Sequence, residues 1–116
     1  MKPVLFRSRP VRSVLDVDRT ELLVRITAIL DRQGVVAAYL VGSYARGTAQ
    51  VWSDIDLIVV CDTPLPFPER PRLFPELDSL GLPMDLLVYT PDEFARMEEN
   101  PSSFWRATQK ERLRLI

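Results

Sequence analysis

The sequence predicts a single α/β domain (α+β) in which helices pack on one β-sheet. Three short apolar segments have the length and composition of buried strands: residues 35–41, 55–61 and 84–90. Segments with apolar residues at helical spacing lie before, between and after them, and this alternation is typical of helices layered on a sheet. The length of 116 residues fits one domain.

We divide the chain into an N-terminal arm, residues 1–17, and a domain, residues 18–116. The arm has no clear hydrophobic period and carries basic residues and prolines: Lys2, Pro3, Arg7, Arg9, Pro10 and Arg12. Such a terminus is typically loose or draped over the surface. The functional alternative is a basic patch that contacts a partner or a nucleotide.

The first predicted helix spans residues 19–33. Asp18 and Glu21 have the spacing of a capping box, apolar residues follow at helical spacing, and Gly34 is a natural stop. After the strand at 35–41, residues 44–50 can form one or two helical turns.

The remaining elements are marked by prolines and capping residues. A helix at 69–80 is expected to be short or interrupted, because six prolines lie between residues 64 and 83. Thr90 and Glu93 have the spacing of a second capping box, which predicts a helix to about Glu99. A break at 100–102 starts a further helix, and the alternating last residues favour an edge strand.

Composition excludes several classes of protein. The formal net charge of −1 predicts neither a membrane partner nor direct nucleic-acid binding. With no long apolar run and no signal-peptide pattern, we expect a cytoplasmic protein. Without histidine there is no His-ligated zinc and no histidine acid or base, and the single Cys61 cannot form an internal disulfide.

Two aspartates, Asp54 and Asp56, stand at the head of the second strand. They share a strand face, but that face continues with Ile58 and Val60 rather than with polar residues. Carboxylates about 4 Å apart repel by roughly 4 kcal/mol at an effective dielectric constant near 20. Either one is protonated or a cation lies between them, and we favour the cation.

Asp85 is likewise a carboxylate near the start of an apolar strand, the third one. It is also open to other interpretations: a surface residue at a strand end, or the partner of an arginine. If the second and third strands are neighbours with aligned starts, three carboxylates converge. An all-oxygen site without His or Cys suits Mg²⁺ or Mn²⁺.

Gly42 and Ser43 end the first strand, and ten residues separate Ser43 from Asp54. Glycine lets a ligand approach the backbone, and N–H groups at a helix start favour phosphate. This turn can face the carboxylates, because the turn and the strand that carries them belong to the same sheet. An anion cradle opposite a divalent-metal site is what transfer from a nucleoside triphosphate requires.

The stretches "GSYARGTA", "SDIDLIVV" and "MDLLVY" resemble the minimal nucleotidyltransferases of the DNA polymerase beta superfamily, over roughly residues 35–89. The resemblance implies a mixed sheet with helices packed on it, as in the polymerase beta palm. It also implies metal-binding, catalytic roles for three carboxylates: Asp54, Asp56 and Asp85.

The same resemblance implies how a nucleotide is held. Gly42 and Ser43 would bind the triphosphate, and Ser53 would brace the turn before Asp54. Arg46 is a candidate phosphate contact, with a surface ion pair as the alternative. The stretch "QKERLRLI" departs from the Lys-Glu-Gly ending of many relatives, and this departure weakens the expectation of a last strand.

Function and partners are also implied by the resemblance. The protein would transfer AMP from ATP to a hydroxyl, preferably of tyrosine, on a small helical HEPN-type toxin, and so act as an antitoxin. Two alternatives stay open: a non-catalytic antitoxin that works by complex formation, and the catalytic subunit of a small-molecule nucleotidyltransferase. We expect a separate protein to supply the acceptor. Homo-oligomerisation is a further alternative that the sequence leaves open.

Overall fold

The architecture is a four-stranded sheet with helices on both faces, and the structure, a computed structural model, describes residues 10–116. The helices are α1 (Arg19–Leu30), α2 (Gly42–Arg46), α3 (Pro91–Glu99) and α4 (Ser103–Glu111). The strands are β1 (Val35–Val41), β2 (Ile55–Cys61), β3 (Met84–Tyr89) and β4 (Leu113–Arg114). Three short 3₁₀-helices lie at Val14–Asp16, Phe67–Leu73 and Pro75–Leu80 of the described chain.

The strand order in the sheet is β3-β2-β1-β4. β1 pairs antiparallel with β2 and β4, whereas β2 pairs parallel with β3. The predicted α/β class and mixed sheet are therefore confirmed. β2 is apolar on both sides after Asp56 because helices cover both faces of the sheet, which is the usual pattern for a strand buried on both faces.

The two faces of the sheet carry different cores. The larger core packs α1 and the third 3₁₀-helix against the sheet, with fully buried side chains from every layer: Ile26, Leu40, Leu57, Leu77 and Leu86. The smaller core lies under α3 and α4 and is built around Val41, Ile58 and Trp105. Burial of each such aliphatic side chain stabilises the fold by about 1.5–3 kcal/mol.

The predicted bounds of two helices are wrong. α1 ends at Leu30 rather than at residue 33, and Gly34, with a φ of +94°, belongs to the turn that enters β1. α2 begins at Gly42 and ends at Arg46, so the predicted helical turns at 44–50 start and end too late. The Gly42–Ser43 turn is therefore the first turn of a helix rather than a loop before one.

The proline-rich connector holds two 3₁₀-helices in place of the single helix predicted at 69–80. They are separated at Phe74, which is buried and precedes Pro75. Proline lacks an N–H and cannot continue the hydrogen-bond pattern of an α-helix. The closely spaced prolines therefore limit this segment to short 3₁₀ turns.

The C-terminal elements follow their predicted signals. Thr90 and Glu93 form a capping box at the start of α3, and Ser102 caps α4. The expected edge strand also forms, as β4 pairs with β1 despite the missing glycine. No helix within residues 10–116 is long and apolar enough to cross a membrane.

Residues 10–17, the described part of the predicted arm, lie against the domain. Ser13 and Val14 are buried, and the Val11 N–H donates to the Gly81 carbonyl oxygen at 2.9 Å. Residues 1–9, with most of the arm's basic side chains, lie outside the described residues. The division at residue 17 stays a prediction.

Candidate active site

Three aspartates meet at one end of the sheet. The parallel pairing of β2 with β3 places Asp56 opposite Asp85, and Asp54 lies two residues before Asp56. One carboxylate oxygen from each aspartate lies within 4.8 Å of those of the other two. Asp85 is only 8% exposed, so it is not a solvated residue at a strand end. The condition set by the sequence, neighbouring strands with aligned starts, is met.

This group fits a divalent cation. Oxygens bound to one Mg²⁺ at about 2.1 Å lie at most about 4.2 Å apart, so small rotations of the aspartate side chains would bring all three into one coordination shell. The donor set is all oxygen, which suits Mg²⁺ or Mn²⁺ better than zinc. The three side chains that the sequence singled out thus form a group that could hold a metal.

Gly42 lies beside this group because β1 and β2 pair antiparallel, with Val41 opposite Asp56. Gly42 has a φ of +81°, in the left-handed region that favours glycine. A Cβ at this position would lie 2.2 Å from Oδ2 of Asp56. Glycine is therefore required by the carboxylate itself, before any ligand is considered.

This contact corrects one expectation about the turn. The sequence suggested that glycine at this turn lets a ligand approach the backbone. In the structure any side chain at Gly42 must displace Asp56. The turn and the acidic group are one packed unit.

Ser43 and Ser53 stabilise the loops on either side. The Ser43 carbonyl oxygen accepts from the Thr48 N–H at 3.0 Å, which closes α2. The Ser53 hydroxyl oxygen accepts from the Gln50 N–H at 2.7 Å, and the Ser53 N–H donates to the Gln50 carbonyl. Ser53 thus makes the bracing contacts that were expected before Asp54, while direct contacts of either serine with a nucleotide stay predictions.

Glu111, at the end of α4, is a site residue that the sequence analysis missed. Its Oε1 accepts from the Gly42 N–H at 2.9 Å, and its Oε2 pairs with the Arg46 guanidinium. Arg46 therefore makes the ion pair that was the alternative to a phosphate contact. The available signal was the glutamate of the Lys110–Glu111 pair, where many relatives close with Lys-Glu-Gly.

A cleft of about 510 Å³ opens from the acidic group. Its polar end is lined by residues around the Gly42 turn: Gly42, Asp56, Asp85 and Glu111. Its other end is lined by three aromatic residues: Phe67, Tyr89 and Phe104. One face of α4 forms a wall along the whole cleft, because Phe104, Thr108 and Glu111 recur at helical spacing.

The aromatic end of this cleft is packed from several elements. The rings of Phe67 and Tyr89 have centroids 5.4 Å apart, and Tyr89 meets Trp105 edge to face at 5.4 Å. Burial, followed by the negative charge of Glu93, raises the pKa of the Tyr89 phenol, which therefore stays neutral at physiological pH. This end offers flat apolar surface rather than charge.

The chain matches the family model described as a nucleotidyltransferase domain over residues 24–115. That match includes the three aspartates, the Gly42 turn, Arg46 and Glu111. None of the curated proteins matches the chain.

Solved structures share the fold at low sequence identity. A toxin-antitoxin structure with AMP-PNP is 23% identical, with a TM-score of 0.56, and the match covers 83% of this chain and 72% of that one. A mutant of the toxin-antitoxin MntA-HpeT is 22% identical, with a TM-score of 0.58 and coverage of 81% and 72%. A second MntA-HpeT mutant is 22% identical, with a TM-score of 0.52 and coverage of 86% and 72%.

Proposed function

Because the chain belongs to the nucleotidyltransferase domain family, we propose that it transfers AMP from ATP to a tyrosine hydroxyl of a HEPN-type toxin and so acts as an antitoxin. The observation that carries this proposal is the meeting of three carboxylates with the Gly42 turn at one end of the sheet. A divalent-cation donor set and a backbone N–H for phosphate then lie side by side.

Each part of the site has a role in this reaction. Asp54, Asp56 and Asp85 would hold Mg²⁺ or Mn²⁺, and the ion would neutralise charge on the triphosphate and lower the pKa of the attacking hydroxyl. The Gly42 N–H and the Arg46 guanidinium bind the phosphates that leave as pyrophosphate. The rate gain comes from positioning and from preorganised charge rather than from covalent chemistry by the protein.

The assignment of a toxin partner is supported by the fold neighbours, because their structures are described as toxin-antitoxin assemblies and one contains AMP-PNP. The HEPN type of the partner and the tyrosine acceptor come from the sequence resemblance. Since the reaction consumes ATP, the proposal also assigns the protein to the cytoplasm.

The test is an intact-mass measurement on a HEPN-type partner co-expressed with the chain and incubated with Mg²⁺ and ATP. We expect one added AMP with the wild type and at least about 100-fold slower addition with Asp85→Asn. Asp62→Asn is the matched control, because Asp62 is an exposed aspartate just beyond the opposite end of β2. It should act like the wild type.

Equal rates of AMP addition with the wild type and Asp85→Asn would remove Asp85 from the reaction. Neutralisation of the partner without any AMP adduct would instead favour an antitoxin that works by complex formation alone.

A further inference from the structure

We propose that the aromatic end of the cleft is the acceptor subsite and that it takes a phenolic side chain, which would explain a preference for tyrosine over serine or threonine. This inference rests on the proposed function. It goes beyond it by assigning the acceptor to three residues that the described mechanism does not use: Phe67, Tyr89 and Phe104.

The cleft runs along the strands. Gly42 follows Val41, which pairs with Asp56, and Asp56 pairs with Asp85, whereas Tyr89 lies four residues further along β3. Phe67 contacts Tyr89 of β3 and belongs to the second 3₁₀-helix, which packs on that strand. The order across the site is therefore the Gly42 turn, the acidic group and then the aromatic end.

In-line phosphoryl transfer places the attacking and leaving oxygens on opposite sides of the phosphorus. If the leaving pyrophosphate lies on the Gly42 N–H and Arg46, the α-phosphorus lies at the acidic group. The attacking oxygen must then come from the side away from the Gly42 turn, where the cleft continues along β3 toward Tyr89 and Phe67. The acceptor oxygen forms a bond to the α-phosphorus, the bond to the pyrophosphate oxygen breaks, and the hydroxyl proton is released to water.

The dimensions favour a long side chain. Tyr89 lies four positions after Asp85 on β3, so at about 3.3 Å per residue the cleft extends about 13 Å from the acidic group. A tyrosine carries its hydroxyl at the far end of a flat ring, and the ring can pack against Phe67 and Tyr89. A serine or threonine hydroxyl lies next to its backbone and would need the partner's main chain inside the cleft.

The test uses a phenol as the probe, so it does not depend on identifying the partner. The protein is loaded with Mg²⁺ and α,β-methylene ATP, which cannot release pyrophosphate, and N-acetyl-tyrosinamide is then added. In ¹H–¹⁵N spectra we expect the tyrosinamide to shift the amide signals of Leu87, Tyr89 and Phe104. N-acetyl-serinamide at equal concentration should shift them much less.

Phe104→Ala is the variant of choice because Phe104 is 57% exposed and its loss leaves the core intact. The Phe104→Ala variant should lose the tyrosinamide shifts while it still binds the nucleotide. Val24→Ala, an exposed change on α1, is the control and should retain both the tyrosinamide shifts and nucleotide binding. Shifts of these signals by the nucleotide alone, with none from tyrosinamide, would make this end a nucleobase pocket and overturn the proposal. So would the absence of any shift. Failure of the nucleotide itself to bind would instead overturn the proposed function.

A second inference also rests on the proposed function but is carried by separate contacts. We infer that Glu111 competes with the triphosphate for the Gly42 N–H and Arg46. The Gly42 N–H already donates to Glu111 at 2.9 Å, and a single N–H has one good acceptor at that distance. Arg46 pairs with the other oxygen of the same carboxylate. Phosphates can occupy this position only after Glu111 moves away.

Removal of the Glu111 charge should therefore tighten nucleotide binding. For Glu111→Gln we expect the Kd of Mg²⁺-ATP, measured by calorimetry, to fall by about tenfold, or about 1.4 kcal/mol. The Kd of AMP should not change, because AMP lacks the β- and γ-phosphates. Glu99→Gln, an exposed change at the end of α3, should leave both values unchanged.

An unchanged or weaker affinity of the Glu111→Gln variant for ATP would overturn the competition. A weaker affinity would show instead that Glu111 holds Arg46 in its binding position. A thermal melt of the variant without nucleotide checks that the fold is intact.

Discussion

Both ends of β3 carry buried charge, but the charged side chains have different neighbours at the two ends. Beyond the last residues of the strand, Arg70 is 6% exposed and donates to both carboxylate oxygens of Glu93 and to the Val88 carbonyl. At the first residues, Asp85 is 8% exposed and meets two further carboxylates. Opposite charges pair at one end, and like charges gather at the other.

The difference separates a structural ion pair from the site that we propose to be functional. The Arg70–Glu93 pair is satisfied by hydrogen bonds within the chain, so it needs no ligand. A group of like charges raises the free energy of the folded state unless a cation or a proton reduces the repulsion. This contrast in local charge is why we propose a chemical role for the aspartates and a structural role for the Arg70–Glu93 pair.

The largest effect on stability is expected at the paired end. Arg70→Met removes the donor to the Val88 carbonyl and the cationic partner of Glu93, which keeps its hydrogen bond from the Thr90 N–H. Loss of one partner from a buried pair costs about 3–5 kcal/mol. We expect the lower value, because the Glu93 side chain is 33% exposed. The loss of unfolding free energy is measured by urea denaturation. Arg72→Met, in an exposed pair with Glu69, is the control and should cost less than about 1 kcal/mol.

The next effect is expected at Gly42. Gly42→Ala combines a positive φ with a Cβ that would lie 2.2 Å from Asp56 Oδ2, and each strained contact of this kind costs about 1–3 kcal/mol. Gly47→Ala has the same backbone problem, with a φ of +78°, but nothing within 4 Å of the Cβ. The difference in unfolding free energy between the two variants measures the clash. Equal losses of unfolding free energy in the two variants would mean that the Asp56 side chain moves aside without measurable cost.

A smaller change of opposite sign is expected at the acidic end. Asp56→Asn removes like-charge repulsion, so without metal the variant should be as stable as the wild type or more stable by up to about 1 kcal/mol. Mg²⁺ with ATP should raise the melting temperature of the wild type, since a ligand of the folded state stabilises it. The variant should lose most of that rise. An undiminished rise would place the metal elsewhere.

The smallest effect concerns pH. Hydrogen bonds from Arg70, the largest cause, lower the pKa of the Glu93 carboxyl in the folded protein. Stability from this group is therefore fully present above the unfolded pKa of about 4.3, and it is lost as pH falls through the lower folded pKa. The difference in unfolding free energy between wild type and Glu93→Gln should shrink in acid. A difference that is constant with pH would contradict the pairing.

Much of the fold could be predicted because its signals are local. The period of apolar residues identified the strands and α1, and the spacing of Thr90 and Glu93 identified the start of α3. Local signals also found the three aspartates, since a carboxylate at the head of an apolar strand is anomalous wherever it occurs. Helix ends were less well predicted, because tertiary packing decides whether a last turn is kept.

What the sequence by itself determined is therefore most of the helices and strands and the chemical type of the candidate site: an all-oxygen donor set beside a glycine turn. Only the tertiary structure decided that Glu111, 69 residues from Gly42, accepts from its N–H, and that Gly42 must lack a side chain because of Asp56. It also decided that an aromatic cleft continues from the aspartates. The reason is that local patterns depend on neighbours along the chain, whereas these contacts exist only after strand pairing and helix packing bring distant residues together.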